Sequence, residues 1–160
     1  MADRKKQSFL DSLSDTERSS LLERSEVRAF EAGEILIAEG SIGDSMLVIA
    51  KGKLDVSRGE LNLAHLSDGS VVGEMALLDP APRSASVVAS SSGKAYELER
   101  NTFMTMLDAG DPNALALLRL LTGTVCARLG RVNKMVQDEV VKPEPESGFK
   151  GLWKRIRSAL

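Results

Sequence analysis

The sequence predicts a mainly β protein with helices: a β jelly-roll barrel with a short helix before it, a short helix within it and a long C-terminal helix after it. Three observations predict it. Between residues 27 and 99, short apolar runs alternate with turns rich in glycine and polar residues, the punctuation of many short strands. Ahead of that stretch, Ser14-Asp15-Thr16-Glu17 has the form of a capping box, which opens a helix. Behind it, Leu117, Leu121, Val125, Leu129, Val132 and Val136 recur at helical spacing.

Taken in order, the first helix should run from its Ser14 cap to about Glu23, with Leu21 and Leu22 on its inner side. Strands are expected at 34–38, 46–50, 54–57, 61–66, 86–90 and 95–99, separated by turns at 40–44, 51–53, 58–60 and 91–94. Asp79-Pro80-Ala81-Pro82 bends the chain back between two of them, because proline fixes φ and lacks an N–H for a ladder. A short helix at 101–108 follows, and Gly110-Asp111-Pro112 restarts another, with Asp111 as its cap and Pro112 in its first turn. That last helix should reach from 113 to about 141. Its apolar stripe suits packing on the barrel, but so long a helix outruns a small barrel, and its far end wants a partner.

Composition narrows the functional classes. A chain of 160 residues with 42% hydrophobic and 28% charged residues suits one soluble domain with terminal extensions. A net charge of −2 offers no general attraction to nucleic acid. Cys126, the only cysteine, cannot form an internal disulfide and reads as a buried small apolar residue on a helix. Met1-Ala2-Asp3-Arg4-Lys5-Lys6 has no apolar run behind it, so it is not a secretory signal, and no stretch is long enough to span a membrane. A cytoplasmic location is expected. His65 lies in an alternating strand without a recognisable Ser–Asp or cysteine partner, and no metal-ligand cluster is legible, so the chain does not read as an enzyme.

The most informative stretch is 73–86, Gly-Glu-Met-Ala-Leu-Leu-Asp-Pro-Ala-Pro-Arg-Ser-Ala-Ser. Arg83 offers a planar fork of donors to a phosphate or carboxylate, whereas an ionised Glu74 only accepts. Together they suit a small anion that also carries a hydroxyl. Small residues at Gly73, Ala76, Ser84 and Ala85 let backbone N–H groups approach such an anion. On its own, a glutamate and an arginine at this spacing would make an ordinary surface ion pair.

The stretch resembles the phosphate-binding cassette of the cyclic-nucleotide-binding domain, the module shared by catabolite activator protein, the protein kinase A regulatory subunit and cyclic-nucleotide-gated channels. The likeness continues upstream through Phe30-Glu31-Ala32-Gly33-Glu34-Ile35-Leu36, Glu39-Gly40, Gly43-Asp44, the run from Met46 to Leu54, and Leu66-Ser67-Asp68-Gly69. It covers roughly residues 20–135. The resemblance implies that Glu74 accepts from a ribose 2′-hydroxyl and that Arg83 binds the exocyclic oxygens of a cyclic phosphate. The ligand-binding set it implies is Gly73, Glu74, Met75, Ala76, Arg83, Ser84 and Ala85, with base contacts from Arg131 and Asn133 on the long helix. The hydroxyl of Ser84, directly after the arginine, resembles catabolite activator protein, so cAMP is the expected ligand and cGMP the other candidate.

The expected division is an N-terminal helical segment at 1–25, the cyclic-nucleotide-binding domain with its long helix at 26–141, a linker at 142–148 and a basic amphipathic tail helix at 149–160. Lys142-Pro143-Glu144-Pro145-Glu146-Ser147-Gly148 is a linker by its prolines and charge. Phe149, Leu152, Trp153, Ile156 and Leu160 then share one helical face, with Lys150, Lys154, Arg155 and Arg157 filling the other. Three roles for this tail stay open: packing on its own domain, capping the nucleotide, or docking on a partner protein or membrane surface. Catabolite activator protein continues into a helix-turn-helix where this chain has too few residues for one, so DNA is not expected as a partner. In such proteins the equivalent long helix pairs across a dimer axis, which implies a homodimer here. The expected function is a cyclic-nucleotide sensor that signals through its C-terminal helix. The alternative is a constitutive interaction module that keeps the fold and docks through its tail.

Overall fold

A computed structural model of the chain describes residues 8–140. The Ser14–Glu17 capping box forms as expected: Ser14 Oγ accepts from the Glu17 N–H at 3.3 Å, and Glu17 Oε2 accepts from the Ser14 N–H at 2.8 Å. It opens α1, Asp15–Glu23, after a single 3-10 turn at Leu10–Ser12. Eight strands follow: β1 (Glu26–Phe30), β2 (Ile35–Ile37), β3 (Ser45–Lys51), β4 (Leu54–Arg58), β5 (Leu61–Leu66), β6 (Val71–Val72), β7 (Ser86–Ala89) and β8 (Gly93–Glu99). Helix α2 (Met75–Leu78) lies between β6 and β7, and α3 (Arg100–Asp108) and α4 (Pro112–Val140) close the chain.

The strands make two antiparallel four-stranded sheets, ordered β1-β8-β3-β6 and β2-β7-β4-β5. The jelly-roll character holds, but as a sandwich of two sheets rather than a closed barrel. One core fills the space between the sheets and is built from Phe30, Leu36, Ile37, Leu47, Ile49, Leu54, Val72, Val87, Ala89 and Ala95. A second core joins the other face of β3 and β8 to the helices through Met46, Val48, Leu98, Leu77, Phe103, Leu117 and Leu121. Successive side chains of a strand point to opposite faces, so β3 supplies Leu47 and Ile49 to one core and Met46 and Val48 to the other. Its unbroken apolar run is the sequence mark of burial on both faces.

Two strands escaped the sequence reading. Only Phe30 of β1 is buried, so its charged residues hide the pattern, and β6 has two residues, too few to show one. Helix α4 begins as read: Asp111 Oδ1 accepts from the Asn113 N–H at 2.8 Å. By their contacts the residues fall into two units, one up to Thr122 and one from Gly123. Leu117 and Leu121 sit in the core of the first, whereas Leu129, Val132 and Val136 are exposed at 59%, 49% and 55%. Cys126 is exposed, not tucked in as a small apolar residue, because it lies past Leu121, where the buried stripe ends. The linker at 142–148 and the tail at 149–160 lie outside the described residues. Among the described residues, no helix is long and apolar enough to cross a membrane.

Candidate functional site

Gly73 follows β6 with a φ of 77°, a left-handed angle that favours glycine. A Cβ built on it would lie 2.6 Å from Arg83 Nη1. The position therefore needs glycine twice, for its backbone and for the side chain packed against it. Glu74 comes next and is only 1% exposed. Helix α2 then spans one turn, anchored by buried Ala76 and Leu77, while Met75 faces solvent at 56% exposure. The Ala76 N–H donates to Gly73 O at 3.1 Å, which closes the turn.

The proline bend returns the chain alongside the loop between β2 and β3. The Arg83 N–H donates to Ser41 O and its carbonyl accepts from the Gly40 N–H, both at 2.8 Å. Nearby, the Gly43 N–H donates to Ala81 O at 3.3 Å. Held at its backbone, Arg83 is fixed at its tip as well: Nη1 donates to Gly73 O at 3.2 Å and Nη2 to Ser45 O at 2.7 Å. A guanidinium carries five N–H donors, so two backbone carbonyls set its plane and leave donors for an oxyanion. Half burial pushes the Arg83 pKa down from its ordinary value, against the opposing pull of Asp44, Glu97 and Glu74. Arginine stays charged through such shifts.

The residues after the arginine continue this loop toward β7. Ser84 is exposed and Ala85 half-buried, and both lie in a bend before β7. Among the described residues, no hydrogen bond engages either amide. The structure thus brings Gly73, Glu74, Ala76, Arg83, Ser84 and Ala85 into one loop-and-turn region, with Met75 at its rim pointing outward. Arg131 and Asn133 belong to the second unit and are exposed on α4.

Several neighbours of Arg83 were not legible as site residues. A Cβ on Gly43 would meet Ala76 Cβ at 2.9 Å and Arg83 Nε at 3.1 Å, so this glycine lets loop, helix and guanidinium pack together. Ser45 accepts from Arg83 through its carbonyl and, at 3.4 Å, its hydroxyl, and that hydroxyl donates to Glu97 Oε1 at 2.7 Å. Gly43-Asp44 belongs to a recognisable turn motif, but nothing in the spacing links Ser45 or Glu97 to Arg83. Strand register makes that link.

His65 gains partners that the sequence did not reveal. Its Nδ1 is 2.5 Å from Asp55 Oδ1, its cross-strand neighbour, and Ser90 Oγ donates to Asp55 Oδ2 at 2.6 Å. The Ser90 hydrogen bond, with help from His65, holds the Asp55 carboxyl below its usual range. The carboxylate lies between the histidine and the serine, so the imidazole is not placed to take the hydroxyl proton. The cluster ties β4 to β5 and to the turn after β7.

Comparisons with known proteins identify the family. The family model described as "Cyclic nucleotide-binding domain" matches residues 27–110. The chain is 37% identical over 99 residues to a cAMP-dependent protein kinase regulatory subunit of Hypocrea atroviridis, covering 62% of this chain and 21% of that one. It therefore spans about a fifth of the length of such relatives. Among solved structures, a cyclic nucleotide-binding domain from Methylobacillus flagellatus superposes with a TM-score of 0.70 at 25% identity, covering 83% of this chain and 78% of that one. The regulatory domain of Toxoplasma gondii PKA, crystallised with cAMP, gives a TM-score of 0.55 at 33% identity, covering 62% and 40%. With the matched segment spanning more than half the chain and enclosing the whole Gly73–Ala85 cradle, the protein is a member of the cyclic nucleotide-binding domain family.

Proposed function

We propose that this protein is a cyclic-nucleotide sensor, not an enzyme, that binds cAMP in the Gly73–Ala85 cradle and passes its ligand state on through α4. The observation that carries the reading is Arg83: half-buried, fixed by two backbone carbonyls and packed against two glycines whose Cβ atoms would fill its space. Such a guanidinium suits the exocyclic oxygens of a cyclic phosphate. The buried carboxylate of Glu74 would accept from the ribose 2′-hydroxyl. The Ser84 and Ala85 amides, with the Ser84 hydroxyl, would donate to the same phosphate, and Ala76 and Met75 would frame it. The names of the similar regulatory subunits support cAMP over cGMP. Arg131 and Asn133 are the candidate base contacts from α4. The exposed stripe Leu129, Val132 and Val136 supports a homodimer through that helix, and the basic tail at 149–160 would reach a protein partner or membrane surface. A cytoplasmic location follows from the same reading.

Calorimetric titration with cAMP and with cGMP tests it. We expect micromolar or tighter binding of cAMP. A charge-assisted hydrogen bond contributes roughly 1.5–3 kcal/mol, so Arg83→Ala should weaken binding by about one to two orders of magnitude or more. Trp153 fluorescence followed in the same titration reports whether the tail senses the ligand. No heat from either nucleotide would overturn the sensor reading and leave an interaction module.

A further inference from the structure

Glu97 stands behind Arg83 on the sandwich-facing side of β8. Cross-strand pairing sets Leu47 opposite Glu97 and Ser45 opposite Glu99, which makes Ser45 and Glu97 diagonal neighbours on one face. The Ser45 hydroxyl sits between the two charges: it donates to Glu97 Oε1 at 2.7 Å and lies 3.4 Å from Arg83 Nη2. The other carboxylate oxygen, Oε2, is 3.5 Å from Arg28 Nη1, and Arg28 Nη2 is 3.5 Å from Glu34 Oε1. Arg28 is thus shared between two carboxylates and brings no spare charge to the site. Asp44 and Glu74 also act on Arg83. Three carboxylates thus act on the one guanidinium.

A single negative charge matches Arg83. A second adds negative charge where Glu97, Asp44 and Glu74 already act on Arg83, with Glu97 reaching the guanidinium through the Ser45 hydroxyl. We propose that Glu97, acting through Ser45, sets the charge selectivity of this anion site, so that it accepts a phosphodiester with one negative charge and rejects a phosphomonoester with two. The inference rests on the cyclic-nucleotide reading and names what that site excludes. Phosphomonoesters lose their second proton near pH 6, so 5′-AMP carries close to two charges at pH 7.5 while cAMP carries one. At an effective dielectric near 20, an added like-charge pair several ångströms apart weakens binding by about tenfold or more.

The test titrates the full chain at pH 7.5 with cAMP, with 5′-AMP and with the methyl ester of 5′-AMP, an acyclic diester of the same nucleoside bearing one charge. In the unaltered protein, the methyl ester should bind at least about fivefold more tightly than 5′-AMP. In Glu97→Gln, which keeps an acceptor for the Ser45 hydroxyl and removes the charge, 5′-AMP should gain about tenfold relative to cAMP. A role limited to holding Arg83 would move all three ligands together. Equal shifts in Glu97→Gln overturn the proposal, and so does a methyl ester that binds no better than 5′-AMP. The methyl-ester comparison needs no variant, so it stands even if Glu97→Gln folds poorly. Absence of cAMP binding to the unaltered protein would overturn the sensor reading beneath it, an outcome separable from cAMP binding with unchanged selectivity.

Discussion

At the scale of single residues, Gly73 links backbone geometry to the arginine. Gly73→Ala forces a left-handed φ on a residue with a Cβ, at a cost of about 1–2 kcal/mol, and drives that Cβ into Arg83 Nη1. Gly33 also has a left-handed φ, but no atom lies within 4 Å of a Cβ there. We expect both alanine variants to lower the thermal midpoint by a few degrees, while only Gly73→Ala weakens cAMP binding by more than about tenfold. Calorimetry beside thermal unfolding separates the two effects, and equal affinities would deny the Gly73–Arg83 contact any bearing on the ligand. Glu74 and Arg83 stood out in the sequence because their residue types carry the chemistry of an anion with a hydroxyl. Ser45, Gly43 and Glu97 did not, since a serine, a glycine and a strand glutamate take their meaning only from what the register sets beside them.

Among the elements, α2 and α4 show how little a helix decides for itself. A four-residue helix does not hold in water alone, so α2 depends on Ala76 and Leu77 entering the core. Helix α4 has a uniform apolar stripe in sequence, yet its burial stops along the way: Leu121 is 0% exposed and Leu129 is 59% exposed. Leu121→Ala should therefore cost about 2–5 kcal/mol, and Leu129→Ala less than about 0.5 kcal/mol for the isolated chain. Urea unfolding at low protein concentration measures both, and a large loss at Leu129 would mean that the helix is covered there. Periodicity shows which face is apolar; it carries no information on how far the partner surface extends. The strands obey the same limit, since doubly buried β3 was plain in sequence and edge strand β1 was not.

For the whole molecule, the exposed half of that stripe becomes a question of assembly. If the far end of α4 pairs with a second copy, sedimentation should return a dimer at micromolar concentration, and Val132→Glu should return a monomer that still binds cAMP. A wild-type monomer would remove the dimer from the mechanism. What the sequence determined by itself was six of the eight strands, the helices around them, the helix caps and the stretch that carries Glu74 and Arg83. Each of these is local: a cap, a turn or an alternation acts over a few residues, and its chemistry is written in the residues that make it. The tertiary structure decided that the sheets form a sandwich and that Asp55, His65 and Ser90 meet. It also set Gly43, Ser45 and Glu97 around Arg83. These contacts join residues far apart in the chain, and a hydrogen bond between them exists only once strand register has brought their side chains to the same face.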